Sequence, residues 1–112
     1  KYTNGTASTV TTYATTENVN DAVDWIKTQA NRPFFLWLAF NAPHEPLHLP
    51  PAGFYSNTSL TGTQQNINAN PKAYFKADLE ALDHEIGRLF DSLTVLNRLD
   101  STDFIFMIIF IR

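Results

Sequence analysis

The chain has 112 residues, a formal net charge of −3 at neutral pH and no cysteine. This length fits one small domain, and 44% hydrophobic with 17% charged residues indicates a globular chain rather than a disordered one. No basic stripe is present, which argues against a nucleic-acid partner, and the missing cysteines exclude a disulfide, a thiolate metal ligand and a cysteine nucleophile within these residues.

Residues 1–15 are rich in Thr, Ser, Asn and Gly, which predicts a loop or sheet-edge segment. Residues 16–41 predict a helix followed by a buried strand. Thr16 is the expected N-cap of that helix, and Pro33 should end it near Asn31 because the residue before a proline disfavours helix. The residues at helical spacing on its apolar face are Val19, Ala22, Val23, Ile26 and Ala30.

Residues 34–40 form a continuous apolar run without period-2 alternation, which predicts a strand buried on both faces. The segment 42–70 comes next, with four prolines between 43 and 51 and then a polar stretch. A loop of this length is usually functional or mobile. We therefore expect it to lie on the active-site side of the sheet.

Residues 71–112 predict a long helix and a second buried strand. Asn70 and Pro71 suit the N-cap and first position of the helix, and Gly87 in its middle suggests close packing against a sheet. The predicted apolar stripe comprises Leu79, Leu82, Ile86, Leu89, Phe90, Leu93 and Leu96. The polar residues expected largely off it are Asp78, Glu85, Arg88 and Asp91.

The second strand is predicted in the apolar run 104–111. Two buried strands joined through a helix predict an α/β fold with a parallel, right-handed βαβ unit. The chain begins without Met, and it ends in an apolar run that would need neighbouring strands. Both ends lead us to expect a piece of a longer protein.

The string His44-Glu45-Pro46-Leu47-His48 matches the H-E-x-x-H signature of zinc proteases. That signature works on a helix, where both imidazoles lie on one face. Pro46 fits only the first turn of a helix, and Pro50 would break any helix that reached it. The zinc-protease hypothesis is therefore the weakest of those considered.

Topology gives a second hypothesis for the same loop. Ligands of open parallel sheets bind beyond the carboxyl ends of the strands, and Asn41 and His44 come directly after the first predicted strand. An imidazole there can bind an anion or deliver a proton. The alternative is a loop histidine with only local hydrogen bonds.

Three stretches of the chain resemble the sulfatase family of the alkaline-phosphatase-like superfamily, in the same order. Residues 32–47 (RPFFLWLAFNAPHEPL) resemble the family segment PFFLYLAFNAPHxPL. Residues 74–89 (YFKADLEALDHEIGRL) resemble the family helix YxAxvexlDxxiGrll, and residues 101–106 (STDFIF) resemble nTdiiFt. The resemblance covers about residues 13–106.

This resemblance implies an alkaline-phosphatase-like α/β fold and hydrolysis of sulfuric esters, as in arylsulfatases. It also implies a formylglycine nucleophile and a divalent cation, usually calcium. The family histidine of the Pro-His pair contacts the sulfate and assists the leaving group, a role that falls on His44. Asn41 is a weaker substrate-binding candidate. A periplasmic, secreted or lysosomal location is expected from the same resemblance.

The chain also departs from the family pattern. The nucleophile motif, Cys or Ser followed by x-Pro-x-Arg, is absent, and Met107–Ile111 replaces the Asp-Asn-Gly that supplies metal ligands. We therefore expect no metal ligand or nucleophile in this segment, and no turnover by the segment alone. The alternatives are a non-catalytic α/β binding module and a related phosphoesterase.

These hypotheses give two expected partners. One is a small-molecule or glycan sulfate ester, and the other is a second copy of the chain that associates through exposed strands. We expect no nucleic-acid partner and no membrane span.

Overall fold

The computed structural model describes residues 1–107, so residues 108–111 of the second predicted strand lie outside the described part. The chain begins with a small antiparallel hairpin, β1 (Tyr2–Thr3) and β2 (Thr6–Ala7), in which Tyr2 pairs with Ala7. Asn4 and Gly5 form its turn with φ of 50° and 81°. Two positive φ angles are what a tight two-residue hairpin turn requires, and Asn-Gly tolerates them best.

Helix α1 (Ala14–Gln29) begins two residues before the predicted start, so Thr16 is not its N-cap. Tyr13 occupies the cap position, and Thr16 lies inside the first turn with its hydroxyl bonded to another helix. The helix ends before Arg32-Pro33, as the proline dictates. Four of the five residues of the predicted face are buried, namely Val19, Ala22, Val23 and Ile26, whereas Ala30 is the exposed C-cap beyond the end of the helix.

The run 34–40 is not buried on both faces, and this prediction was wrong. Its even-numbered residues pack against the core of α1, whereas its odd-numbered residues are exposed. This alternation is that of a strand with one covered face. The physical reason is that helices lie on one side of the run only, within residues 1–107.

The segment 42–70 is not loop throughout, because Gln64–Ala69 form the short helix α2, whose N-cap Thr63 accepts from the Asn66 N–H. The long helix α3 (Pro71–Val95) follows. Pro71 begins α3 as predicted. Asp78 and Glu85 are buried on the face that packs inward, while Leu79 is 42% exposed. The predicted apolar stripe was therefore misplaced over the first half of the helix, where the small residues Ala77 and Ala81 occupy the inner face.

Two apolar clusters hold these elements together. One joins α1 to the end of α3 and to residues 34–40, with Val19, Ile26 and Leu93 at its centre. The other places Leu60 of the loop against Tyr74 and Ala77 of α3. The long loop is thus packed onto α3 rather than detached from it.

Gly87 does not pack closely against a sheet, which corrects a second expectation for α3. A Cβ built at this position would meet no atom within 4 Å. Gly87 is exposed on the outer face of the helix.

The predicted parallel βαβ unit is not formed among residues 1–107. The hairpin β1–β2 is the sheet found there, and residues 102–107 come after the short 3-10 helix Leu99–Ser101 without a strand partner. Phe104 packs on Phe90 of α3 with ring centroids 4.5 Å apart. Pairing of strands needs neighbours that the described residues do not supply.

Candidate functional site

The turn at residues 41–44 carries the two residues predicted from topology. The backbone N–H of His44 donates to the carbonyl oxygen of Asn41 at 2.8 Å, which closes the turn. Both residues are exposed. The turn comes directly after Phe40, whose side chain packs against the α1 core. The fold therefore brings Asn41 and His44 together at the end of the run 34–40.

One ring nitrogen of His44 is hydrogen-bonded to the backbone, and the other is available to a ligand. Its Nδ1 lies 2.7 Å from the carbonyl oxygen of Glu45. A carbonyl oxygen only accepts, so this contact requires a proton on Nδ1. Nε2 is then the nitrogen left to accept or, when protonated, to donate. An exposed imidazole of this kind suits contact with an anion or proton transfer to a leaving group.

His48 lies four residues further along the same loop, and the structure does not join it to His44 in a helix. Residues 44–48 form bends and irregular backbone, with cis peptide bonds before Pro43 and Pro46. The carbonyl oxygen of Pro46 accepts a hydrogen bond from the Nδ1 of His48 at 2.9 Å, and the rings of His48 and Tyr13 are T-shaped with centroids 5.6 Å apart. The helical arrangement of a zinc protease is therefore not present here.

The sequence did not single out the residues that face the loop from the helices. The hydroxyl of Tyr13 donates to Asp78 Oδ1 at 3.0 Å, and Asp78 is 2% exposed. Burial raises the pKa of the Asp78 carboxyl, although the hydrogen bond from Tyr13 opposes this effect. Burial also raises the pKa of Tyr13 to about 12.

Glu85 lies two helical turns beyond Asp78 and is fully buried. It accepts hydrogen bonds from the Thr16 hydroxyl at 2.7 Å and from Arg88 Nε at 2.7 Å. Arg88 Nη2 also donates to the carbonyl oxygen of Thr16 at 3.1 Å. The carboxylate is thus fully partnered, and the three residues fasten α1 to α3. The i, i+3 spacing of Glu85 and Arg88 is the sequence signal that could have found this ion pair.

The loop also contacts Glu80 and His84 of α3. Glu80 accepts from the backbone N–H and the hydroxyl of Ser56 at 2.7 and 2.9 Å, and the Ser56 hydrogen bonds lower the pKa of Glu80. The rings of Phe54 and His84 stack with centroids 4.1 Å apart. His84 is exposed, and Phe54 covers one face of its ring.

A calcium ion and a formylglycine do not fit the donor set of this part of the chain. Across residues 1–107, no three His, Cys, Asp or Glu side chains gather closely enough to hold a metal ion. The two buried carboxylates, Asp78 and Glu85, are committed to Tyr13, Thr16 and Arg88. The sequence has no cysteine, and none of its serines is followed by the x-Pro-x-Arg that marks the precursor of formylglycine.

Comparison with family models identifies the protein family to which the chain belongs. The family model named Sulfatase matches residues 1–107, nearly the whole chain. This chain belongs to the sulfatase family. Searches of curated proteins and of solved structures find no match.

Membership of this family implies a fold and a class of reaction. The sulfatase family has an alkaline-phosphatase-like α/β fold and hydrolyses sulfate esters. The match includes the run 34–40, the turn at Asn41 and His44, helix α3 and residues 104–107. Through residue 107, the helices are too short or too polar to cross a bilayer.

Proposed function

We propose that this chain supplies the sulfate-contacting loop of a sulfuric ester hydrolase, and that His44 contacts the sulfate and assists the leaving group. The observation that carries the proposal is the exposed His44 imidazole, which has Nδ1 tied to a carbonyl oxygen and Nε2 left for a ligand. The family match over residues 1–107 supports sulfate esters as the ligand class. Asn41 closes the same turn and is the second candidate contact.

The chemistry of His44 derives from the charge of the substrate. A sulfate ester carries a negative charge that is favoured beside an imidazolium, and the bridging oxygen gains charge as its bond to sulfur breaks. A proton delivered from Nε2 to that oxygen neutralises the charge of the leaving group. Positioned general acids of this kind contribute about 10²–10⁴-fold to rate.

The 112 residues by themselves should bind a sulfate ester without hydrolysing it. His44 provides leaving-group assistance, whereas attack on sulfur requires a nucleophile, and these residues lack the Cys-or-Ser-x-Pro-x-Arg motif that supplies it. We propose that the nucleophile and the divalent cation come from outside these residues. A secreted, periplasmic or lysosomal setting is part of the same proposal.

The test is a ligand titration followed by NMR. We expect 4-nitrophenyl sulfate to shift the His44 ring resonances saturably and to release no nitrophenolate. His44→Ala should abolish binding, whereas His48→Ala is the matched control because its Nδ1 is also tied to a loop carbonyl oxygen. Equal binding by His44→Ala and the unmodified chain would refute the role of His44. A preference for 4-nitrophenyl phosphate would favour the phosphoesterase alternative.

A further inference from the structure

The exposed turn that carries His44 is anchored on both of its sides. Before the turn, Phe40 packs against the apolar cluster that joins α1 to the end of α3. After the turn, Leu47 packs against the second apolar cluster, to which Tyr74 of α3 belongs. Two residues separate His44 from Leu47. A short segment that is fixed on both sides has few conformations left, so the anchors determine where the imidazole lies.

The anchor after the turn is closed by a contact between Leu49 and Gly62, which we call the neck of the loop. A Cβ built on Gly62 would lie 3.2 Å from Leu49 Cδ2, so the backbone of the glycine lies directly against that side chain. The φ of Gly62 is +74°, a conformation that glycine adopts without steric cost. Residues 49–62 therefore begin and end at one point, as in an Ω-loop, a class of compact loops that is frequently functional.

Tyr74 holds this neck from helix α3. It is fully buried, and its hydroxyl accepts a hydrogen bond from the backbone N–H of Gly62 at 2.9 Å. The same hydroxyl donates to Asn66 Oδ1 of α2 at 2.6 Å. Asn66 Oδ1 also accepts from the backbone N–H of Thr61 at 3.3 Å. One buried hydroxyl therefore joins α3, α2 and the returning end of the loop.

We propose that Tyr74 is a positioning residue for His44. Its ring belongs to the cluster against which Leu49 packs, and its hydroxyl holds Gly62 on the other side of that leucine. Without the hydroxyl, the N–H of Gly62 loses its acceptor and the neck opens. The turn then samples positions in which the imidazole lacks its backbone hydrogen bond. The proposal rests on the proposed function, because Tyr74 acts on the ligand only through the imidazole.

Tyr74→Phe removes one oxygen atom and leaves the packed ring in place. Because only the positioned fraction of the chain binds, we expect the dissociation constant of 4-nitrophenyl sulfate to rise about tenfold if about one tenth stays positioned. The neutral His44 ring should also change from protonation at Nδ1 to a mixture of both tautomers, because it loses the carbonyl oxygen of Glu45. Nitrogen NMR spectra at alkaline pH measure this tautomer without any ligand. A residue that only stabilised the fold would leave both readings unchanged in the folded variant.

Tyr55→Phe is the matched control, since Tyr55 packs against the same cluster and its hydroxyl is not part of the neck. Gly62→Ala disturbs the neck from the other side, by pressing a methyl group against Leu49, and should change the His44 tautomer in the same direction. This second variant keeps the test decisive if Tyr74→Phe unfolds. All variants are compared well below their melting temperatures.

Two readings overturn the proposal. One is a His44 tautomer that stays the same in folded Tyr74→Phe, or in Gly62→Ala where that variant replaces it. The other is an affinity for the ester that stays the same in Tyr74→Phe. Changes of equal size in Tyr55→Phe overturn it too. If the unmodified chain does not bind the ester, the proposed function fails, whereas the tautomer measurement still decides the role of Tyr74.

Discussion

Glu85 on helix α3 accepts a 2.7 Å hydrogen bond from the hydroxyl of Thr16 on helix α1, across 69 positions of sequence. The same carboxylate accepts a hydrogen bond from Arg88 Nε, and Arg88 Nη2 donates to the carbonyl oxygen of Thr16. A fully buried carboxylate with these partners fixes how the two helices lie against each other. Because residues 34–40 pack on that helix pair, the network also determines where the His44 turn begins.

Removing Glu85 should therefore weaken the whole fold. Glu85→Ala leaves Arg88 and Thr16 without their acceptor at a buried site, and we expect a loss of about 3 kcal/mol in the free energy of unfolding. Urea denaturation followed by circular dichroism measures it. Asp91→Ala, on the exposed side of the same helix, is the control and should stay within about 0.5 kcal/mol. A similar change for both variants would refute the structural role of the Glu85 network.

Gly87 offers a substitution in the stabilising direction. Gly87→Ala meets no atom within 4 Å and replaces a poor helix former by a good one. We expect a gain of up to about 1 kcal/mol in the free energy of unfolding. Gly62→Ala is the contrasting variant, because its φ is +74° and a Cβ would lie 3.2 Å from Leu49. Thermal melting should move upward for the first and downward for the second; the opposite order would show that α3 packs differently.

The buried carboxyl of Asp78 should make the free energy of unfolding depend on pH. Burial raises the pKa of its carboxyl in the folded state above the ordinary value of 3.8. Its contribution to stability is therefore present below that value and is lost as the pH rises through the folded-state pKa. Asp78→Asn keeps an acceptor for the Tyr13 hydroxyl but cannot ionise. Relative to this variant, the unmodified chain should lose stability as the pH rises from about 3 towards neutrality. Parallel stability curves would contradict the raised pKa.

Tyr13 extends this argument to alkaline pH. Its pKa is raised to about 12 from 10.0, chiefly by burial, so the unfolded chain releases the proton first. The stability contribution of Tyr13 should be complete below pH 10 and disappear as the pH passes 12. Tyr13→Phe should remove this part of the alkaline loss while leaving the phenolate absorbance of the other tyrosines unchanged. Ionisation of Tyr13 near pH 10 in the folded chain, measured as the phenolate absorbance that Tyr13→Phe removes, would refute the burial of Tyr13.

The sequence predicts the helices well and the sheet poorly, for a physical reason. Apolar spacing identifies the inner face of α1, and Pro33 and Pro71 mark helix boundaries through their own backbone chemistry. The paired state of residues 34–40 depends on neighbours that local composition does not describe. The same reason explains Asp78 and Glu85, because a carboxylate is buried only where a partner such as Tyr13 or Thr16 arrives from elsewhere in the chain.

The candidate site was predicted in part. Topology pointed to both Asn41 and His44, and the family resemblance pointed to His44; the structure places the two residues in one exposed turn. Neither revealed that the Nδ1 of His44 is taken by the Glu45 carbonyl oxygen, because that contact depends on the local backbone path. The roles of Asn41 and His44 toward a ligand remain predictions.

The most direct test of the central claim transfers this loop into a working enzyme. Residues 33–62 would replace the corresponding segment of an active sulfatase, and hydrolysis of 4-nitrophenyl sulfate would be measured before and after His44→Ala. We predict that the hybrid remains active and that His44→Ala lowers kcat/KM by about 10²-fold or more. His48→Ala in the same hybrid should retain activity. A hybrid whose activity is unchanged by His44→Ala would contradict the role assigned to this histidine.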